Sequence, residues 1–141
     1  MEHLRHLSYE SAEGIARITL RRGKVNAINA DVVFELRTAL DRAEVDDSTR
    51  AVILTGEGSF FSFGFDIPEL RPYSPEEFTR FLIDFSDLYT RMYLYAKPIV
   101  AALNGHAIAG GCMLGLVDQI VASERLRQAA AESAREIEIR S

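Results

Sequence analysis

Cysteine, long apolar runs and positive charge are all scarce in this sequence, and each scarcity removes a class of protein from consideration. Cys112 is the only cysteine among 141 residues, so no disulfide can close within the chain and a reducing compartment is expected. No apolar run reaches the ~18 residues that suggest a membrane-spanning helix. The opening Met1-Glu2-His3-Leu4-Arg5-His6 lacks the apolar core of a signal peptide. The cytoplasm is therefore the expected location, with no membrane partner. Acidic residues outnumber basic ones 21 to 16, a net charge of -5, which argues against a nucleic-acid footprint. A small basic pocket for a phosphorylated ligand remains compatible with that balance.

Two nucleotide motifs are missing as well. Gly56-Glu57-Gly58 starts like a dinucleotide loop, but the next glycine is Gly64, the wrong spacing for G-x-G-x-x-G. No G-x-x-x-x-G-K-[ST] occurs. His106 has no companions at ligand spacing, and His3 and His6 sit near the terminus, so no metal is expected.

What is present suits one globular domain. A hydrophobic content of 48% with 26% charged residues is ordinary for a soluble protein of a size that buries a real core. Residues 7–20 read as a hairpin turning at Glu13-Gly14, with Ile18 and Leu20 on one face. Arg21-Arg22-Gly23-Lys24 is a short basic loop, either a solvated turn or a phosphate contact. Asn29 is placed to cap a helix carrying Val33, Leu36, Leu40 and Ala43 at helical spacing, ended by Asp46-Asp47-Ser48. Ala51-Val52-Ile53-Leu54-Thr55 reads as a buried strand, and the succession so far is that of an α/β layer fold.

After a loop, Ser74-Pro75-Glu76-Glu77 forms a capping box with proline at the first helical position. Phe78, Phe81, Leu82, Phe85, Leu88, Tyr89, Met92 and Tyr95 then recur every three or four residues up to Pro98. Core packing is the leading explanation of that aromatic face, with Tyr93 and Tyr95 open to a pocket or an interface. Lys97-Pro98 stops the helix. Ile99-Val100-Ala101-Ala102-Leu103 is a second buried strand, running through Asn104-Gly105-His106 into the turn Ala109-Gly110-Gly111 and what reads as a helix start. Strand, tight turn and helix start is a general way to aim free backbone N–H groups at a negative oxygen. Gly115 to Ala122 reads as a possible short strand, and Ser123 is placed to cap a last helix with Leu126, Ala130, Ala134 and Ile137 as a narrow apolar stripe and a charged opposite face.

Three stretches together resemble one family. Lys24-Val25-Asn26-Ala27-Ile28-Asn29, then Ser59-Phe60-Phe61-Ser62-Phe63-Gly64-Phe65-Asp66-Ile67, then the Gly110-Gly111-Cys112 turn match the enoyl-CoA hydratase/isomerase (crotonase) superfamily in order, spacing and type. The resemblance covers residues ~10 to 114 and implies an α/β crotonase-like (ClpP/crotonase) ββα spiral, here incomplete. It implies acyl-CoA as the ligand, with coenzyme A entering as part of the substrate and no separate cofactor. It also implies an oxyanion hole of two backbone N–H groups, at Phe65 and Gly110. Val25, Ala27, Ser62, Phe63, Phe65, Asp66, Ile67 and Gly110 become the substrate-binding positions. For Asp66, satisfying local N–H groups is the competing role.

The resemblance fails at the carboxylates. Hydratases of the family carry a glutamate one residue beyond the Cys of the Gly-Gly-Cys turn; here that residue is Met113, which transfers no proton. Isomerases use a second, later glutamate, and residues 115–141 hold nothing similar; Glu124, Glu132, Glu136 and Glu138 belong to a charged helix face. The parent is therefore expected to be of the isomerase type. Gly115-Leu116-Val117-Asp118-Gln119-Ile120-Val121 resembles a stretch the family carries much later, which divides the chain into 1–114 and 115–141 with a central segment lost near Leu114-Gly115. A continuous alignment with a one-residue gap is the alternative. The expectation is acyl-CoA binding without catalytic glutamates, the alternatives being a non-catalytic partner of an intact homologue or a non-functional remnant. Without central helices, the faces of Phe78–Tyr95 and of the 99–103 strand are expected to lack cover, and the chain to self-associate.

Overall fold

The computed structural model describes residues 4–107, Gly111 and the backbone of 119–121. The expected positions at Gly110, Cys112, Met113, the Leu114-Gly115 junction and the helix after Ser123 lie outside the described residues.

The hairpin forms as expected. β1 (Leu7–Ala12) and β2 (Ile15–Leu20) pair antiparallel with Ala12 opposite Ile15. β3 (Ala51–Gly56), β5 (Ile99–Ala102) and β7 (Gln119–Val121) add in parallel, giving the order β1-β2-β3-β5-β7. β3 and β5 are buried at every residue, which is why they read as continuous apolar runs rather than alternations. Their residues still divide by face. Val52, Leu54 and Ile99 join the core beneath the helices, while Ala51, Ile53, Val100 and Ala102 form a cluster with Ile15 on the other side.

Two long helices cover the first face. α1 (Ala30–Val45) starts where Asn29 Oδ1 accepts from Val32 N–H at 2.9 Å. α3 (Pro75–Tyr93) starts in the capping box, with Ser74 and Glu77 exchanging side-chain-to-backbone bonds. Its apolar stripe of Phe81, Phe85, Leu88 and Met92 is buried against the sheet and α1. Each such side chain removed from water contributes roughly 1.5–3 kcal/mol.

The structure corrects several expectations. α3 stops at Tyr93, and Tyr95 lies beyond it, its hydroxyl bonded to the carbonyl of Leu40. Lys97 Nζ bonds the carbonyls of Ala43 and Asp46 at 2.7 and 2.9 Å, satisfying acceptors that the end of α1 leaves free. Tyr93 is exposed to solvent at the end of the helix. The faces expected to lack cover are covered: the α3 stripe and all of β5 are buried. The large exposed apolar residues are Phe34, Val45, Phe63 and Ile67, with Leu82, Ile83, Tyr93 and Leu94 on the outer side of α3 and just past its end. Finally, the stretch after β3 holds more than a loop. It contains β4 (Phe60–Ser62), paired parallel with β6 (His106–Ala107) in a second small sheet, and the short α2 (Ile67–Leu70).

Candidate functional site

Asn26 ties the basic loop to the start of β4. Its backbone is left-handed (φ 50°) and its side chain is buried. Oδ1 accepts from Arg22 N–H at 2.8 Å, and Nδ2 donates to the carbonyls of Glu57 (3.2 Å) and Phe60 (2.9 Å). Asn104 Nδ2 reaches the same Phe60 carbonyl at 2.9 Å and that of Gly58 at 2.8 Å. Three separate segments thus meet at one small sheet end. Sequence reasoning passed over both asparagines; for Asn26 the signal was Asn at a position where the chain turns with φ above zero.

The next layer fixes the turn at 62–66. Ser62 Oγ donates to the carbonyl of Asn26 at 2.7 Å and accepts from Gly64 N–H at 3.1 Å. Gly64 adopts φ 101°, a conformation that side chains resist. Ile28 and Phe65 then form a parallel bridge: Ile28 N–H donates to the Gly64 carbonyl (2.7 Å), and Asp66 N–H donates to the Ile28 carbonyl (2.9 Å). This alternation turns Phe65 N–H away from Ile28, and among the described residues it has no acceptor. The Phe65 ring packs edge-on against Phe81 and Phe85 of α3, centroids 5.0 and 4.9 Å away, so α3 holds the turn in place.

Gly111 comes close to Ser62. A methyl group on Gly111 would lie 2.4 Å from the Ser62 carbonyl oxygen, closer than any Cβ can sit. Only glycine at 111 fits this close to the segment that carries Phe65.

Between these elements lies a cavity of about 480 Å³. One wall is the loop Arg22 to Ala27, contributing Val25 and Ala27; the other is Phe63 and the run Phe65 to Pro68. Six of the eight expected binding positions therefore share one cavity. Ser62 is buried and does not line it; its hydroxyl is used inside the turn. Arg21, Gly23, Lys24, Glu57, Gly58 and Ser59 line an adjoining cleft of about 570 Å³.

Asp66 has the local role that competed for it. Its Oδ1 accepts from Glu69 N–H at 3.2 Å, capping α2, and its Oδ2 takes Arg22 Nη1 at 2.7 Å. Burial pushes its pKa up, but the hydrogen bonds from Arg22 and Glu69 N–H and the Arg22 charge outweigh that and hold it below the ordinary carboxylate value. An ionised, doubly engaged carboxylate is a poor base. His106 stacks tilted on Phe60 at 5.1 Å rather than meeting other ligating groups. Among the described residues no group of three His, Cys, Asp or Glu is placed to hold a metal ion, and no helix is long and apolar enough to cross a membrane.

Comparison with known proteins gives a consistent result. The family model described as enoyl-CoA hydratase/isomerase matches residues 10–138. The 4-chlorobenzoyl coenzyme A dehalogenase-2 of an Arthrobacter species is 38% identical over 127 residues, covering 85% of this chain and 46% of that protein. The mitochondrial enoyl-CoA delta isomerase 1 of Mus musculus is 34% identical over 108 residues, 76% of this chain and 37% of that one. The chain thus spans about half, or less, of the length of these curated relatives. Among solved structures, an enoyl-CoA hydratase/isomerase from Xanthobacter autotrophicus Py2 superposes with a TM-score of 0.85 at 25% identity, over 96% of this chain and 74% of that one.

Proposed function

Since this chain belongs to the enoyl-CoA hydratase/isomerase family and has the crotonase fold, we propose that it binds acyl-CoA thioesters through backbone N–H groups at Phe65 and Gly110. One observation carries the reading: Phe65 N–H is left without an acceptor by the Ile28 bridge, at the edge of a cavity whose walls hold Val25, Ala27, Phe63, Asp66 and Ile67. In an acyl-CoA thioester, negative charge gathers on the carbonyl oxygen when the neighbouring carbon loses a proton. Fixed N–H dipoles stabilise that charge without reorganising, and a single donor of this kind is worth about 3–4 kcal/mol. Because the donor is backbone, the Phe65 side chain is free to serve α3 packing instead.

Chemistry beyond binding needs a proton carrier, and the reading assigns none. Met113 replaces the first family glutamate and nothing in 115–141 supplies the second. Asp66 is engaged with Arg22. The parent activity is read as isomerase-like, and this chain as a thioester binder derived from it, working in the cytoplasm without metal or separate cofactor.

The test is a ligand comparison that leaves the protein intact. Acetyl-CoA and S-ethyl-CoA share everything except the carbonyl oxygen. Calorimetry is expected to find acetyl-CoA bound at least about tenfold more tightly, the ratio that 1.4 kcal/mol gives. Equal affinities would rule out an oxyanion contact.

A further inference from the structure

The basic loop carries three cations, and the structure does not use them alike. Arg21 and Lys24 line the outer cleft and make no ion pair with any described residue. Arg22 turns the other way. Its Nη1 donates to Asp66 Oδ2 at 2.7 Å and to the Ala27 carbonyl at 3.0 Å, and its Nη2 donates to Glu69 Oε2 at 2.7 Å. Glu69 is held from its other side by Asn29 Nδ2, at 3.2 and 3.1 Å. The Arg22 and Asp66 side chains are only 21% and 17% exposed, so this is a partly desolvated, hydrogen-bonded group rather than a loose surface pair.

The placement matters because the cavity has two walls and, among the described residues, Arg22 is the one lining side chain of the first that bonds side chains of the second. Backbone bonds join the walls: Phe63 N–H to the Val25 carbonyl at 2.8 Å, and the Ile28 bridge to Gly64 and Asp66. Arg22 also spans the two walls, fixed to its own at Ala27 and to the opposite one at Asp66 and Glu69. A planar guanidinium serves three acceptors at fixed angles, which a lysine ammonium on a flexible stem does not reproduce.

We propose that Arg22 is a positioning residue of the thioester site: it sets the separation of the two cavity walls, and so the aim of Phe65 N–H, without touching ligand phosphate. This rests on the thioester reading above. It reassigns the middle cation of a loop that the sequence offers as either a solvated turn or a phosphate contact, and it makes the loop's charge do two separate jobs.

Two measurements on the full chain, with Arg22→Met and Arg22→Lys, decide it. The first is binding of acetyl-CoA beside adenosine 3′,5′-bisphosphate, a probe that carries phosphate but no thioester. Both variants are expected to weaken acetyl-CoA at least about tenfold while leaving bisphosphate affinity within about twofold. Rescue by lysine, or a parallel loss of both ligands, would show that the charge itself meets the phosphate and overturn the assignment. The second, on ligand-free protein, is amide hydrogen exchange. Exchange is expected to quicken in 22–27 and 64–70 together, with the β2–β3 pairing unchanged. Acceleration on one wall alone, or on neither, would overturn the clamp. If the wild-type chain fails to bind acetyl-CoA, the thioester reading falls, and the exchange result still decides whether Arg22 joins the walls.

Discussion

Replacing Asn26 by alanine tests the structural logic of the site most directly. The substitution removes three side-chain hydrogen bonds, to Arg22 N–H and to the carbonyls of Glu57 and Phe60. The Phe60 carbonyl keeps a second donor in Asn104, so two partners are left unmatched, at about 1 kcal/mol each or somewhat more. The backbone adds a separate cost. At φ 50° an alanine pays roughly 1–2 kcal/mol that asparagine largely avoids and glycine does not pay. The expected loss for Asn26→Ala is about 3–4 kcal/mol, a large part of a total of ~5–15. Asn26→Gly loses the same hydrogen bonds without the φ penalty and is expected to be less damaging by about 1 kcal/mol. Urea unfolding of the three proteins, with equal slopes, measures both differences. The reasoning fails if alanine costs less than about 1 kcal/mol, or if glycine proves worse than alanine.

Other outcomes follow from neighbouring contacts. Asp66 has a folded pKa below its unfolded value, so its contribution is fully present above about pH 4 and is lost as pH falls through the folded value. Asp66→Asn keeps a capping side chain but loses the ion pair; it is expected to cost ~1–2 kcal/mol at pH 7 and nothing in strong acid, and a pH-independent loss in urea titrations would refute the ion-pair account. Gly111→Ala drives a methyl to 2.4 Å from the Ser62 carbonyl oxygen, and is expected to lower the melting temperature by several degrees; an unchanged melt would mean that Gly111 does not abut Ser62. Incubation with 2-enoyl-CoA and 3-enoyl-CoA, followed by chromatography, is expected to show turnover well below the ~1 s⁻¹ at the low end of ordinary enzymes, because no proton carrier is assigned; rates at or above that would require one.

Local signals in the sequence account for most of the main sheet and both long helices. The Asn29 cap, the Ser74 capping box and the unbroken apolar runs at 51–55 and 99–102 are each short-range chemistry, and each appears where expected. The second sheet was not legible, because β4 is three residues and β6 two, paired across more than forty positions of chain. Tyr95 fits the helical spacing of α3, yet the Leu40 carbonyl and not periodicity decides its place. At the site, the family motif pointed to residues that do share a cavity. It did not reveal Arg22 or Asn26, whose roles depend on partners brought together only by folding.

The strand order β1-β2-β3-β5-β7 carries a consequence for how the chain is made. Every strand of the main sheet pairs with one synthesised before it, always at the same advancing edge. Within the described strands of this sheet, a nascent chain leaving the ribosome therefore never needs a later strand inserted between two earlier ones. The spans to be closed are long, 36 residues from Ile15 to Ala51 and 47 from Val52 to Ile99, but closure cost rises only logarithmically with span. α1 and α3 sit inside those spans and shorten them by coiling before the next strand emerges. Vectorial assembly is thus written into the topology, with translation delivering each strand to an edge already in place.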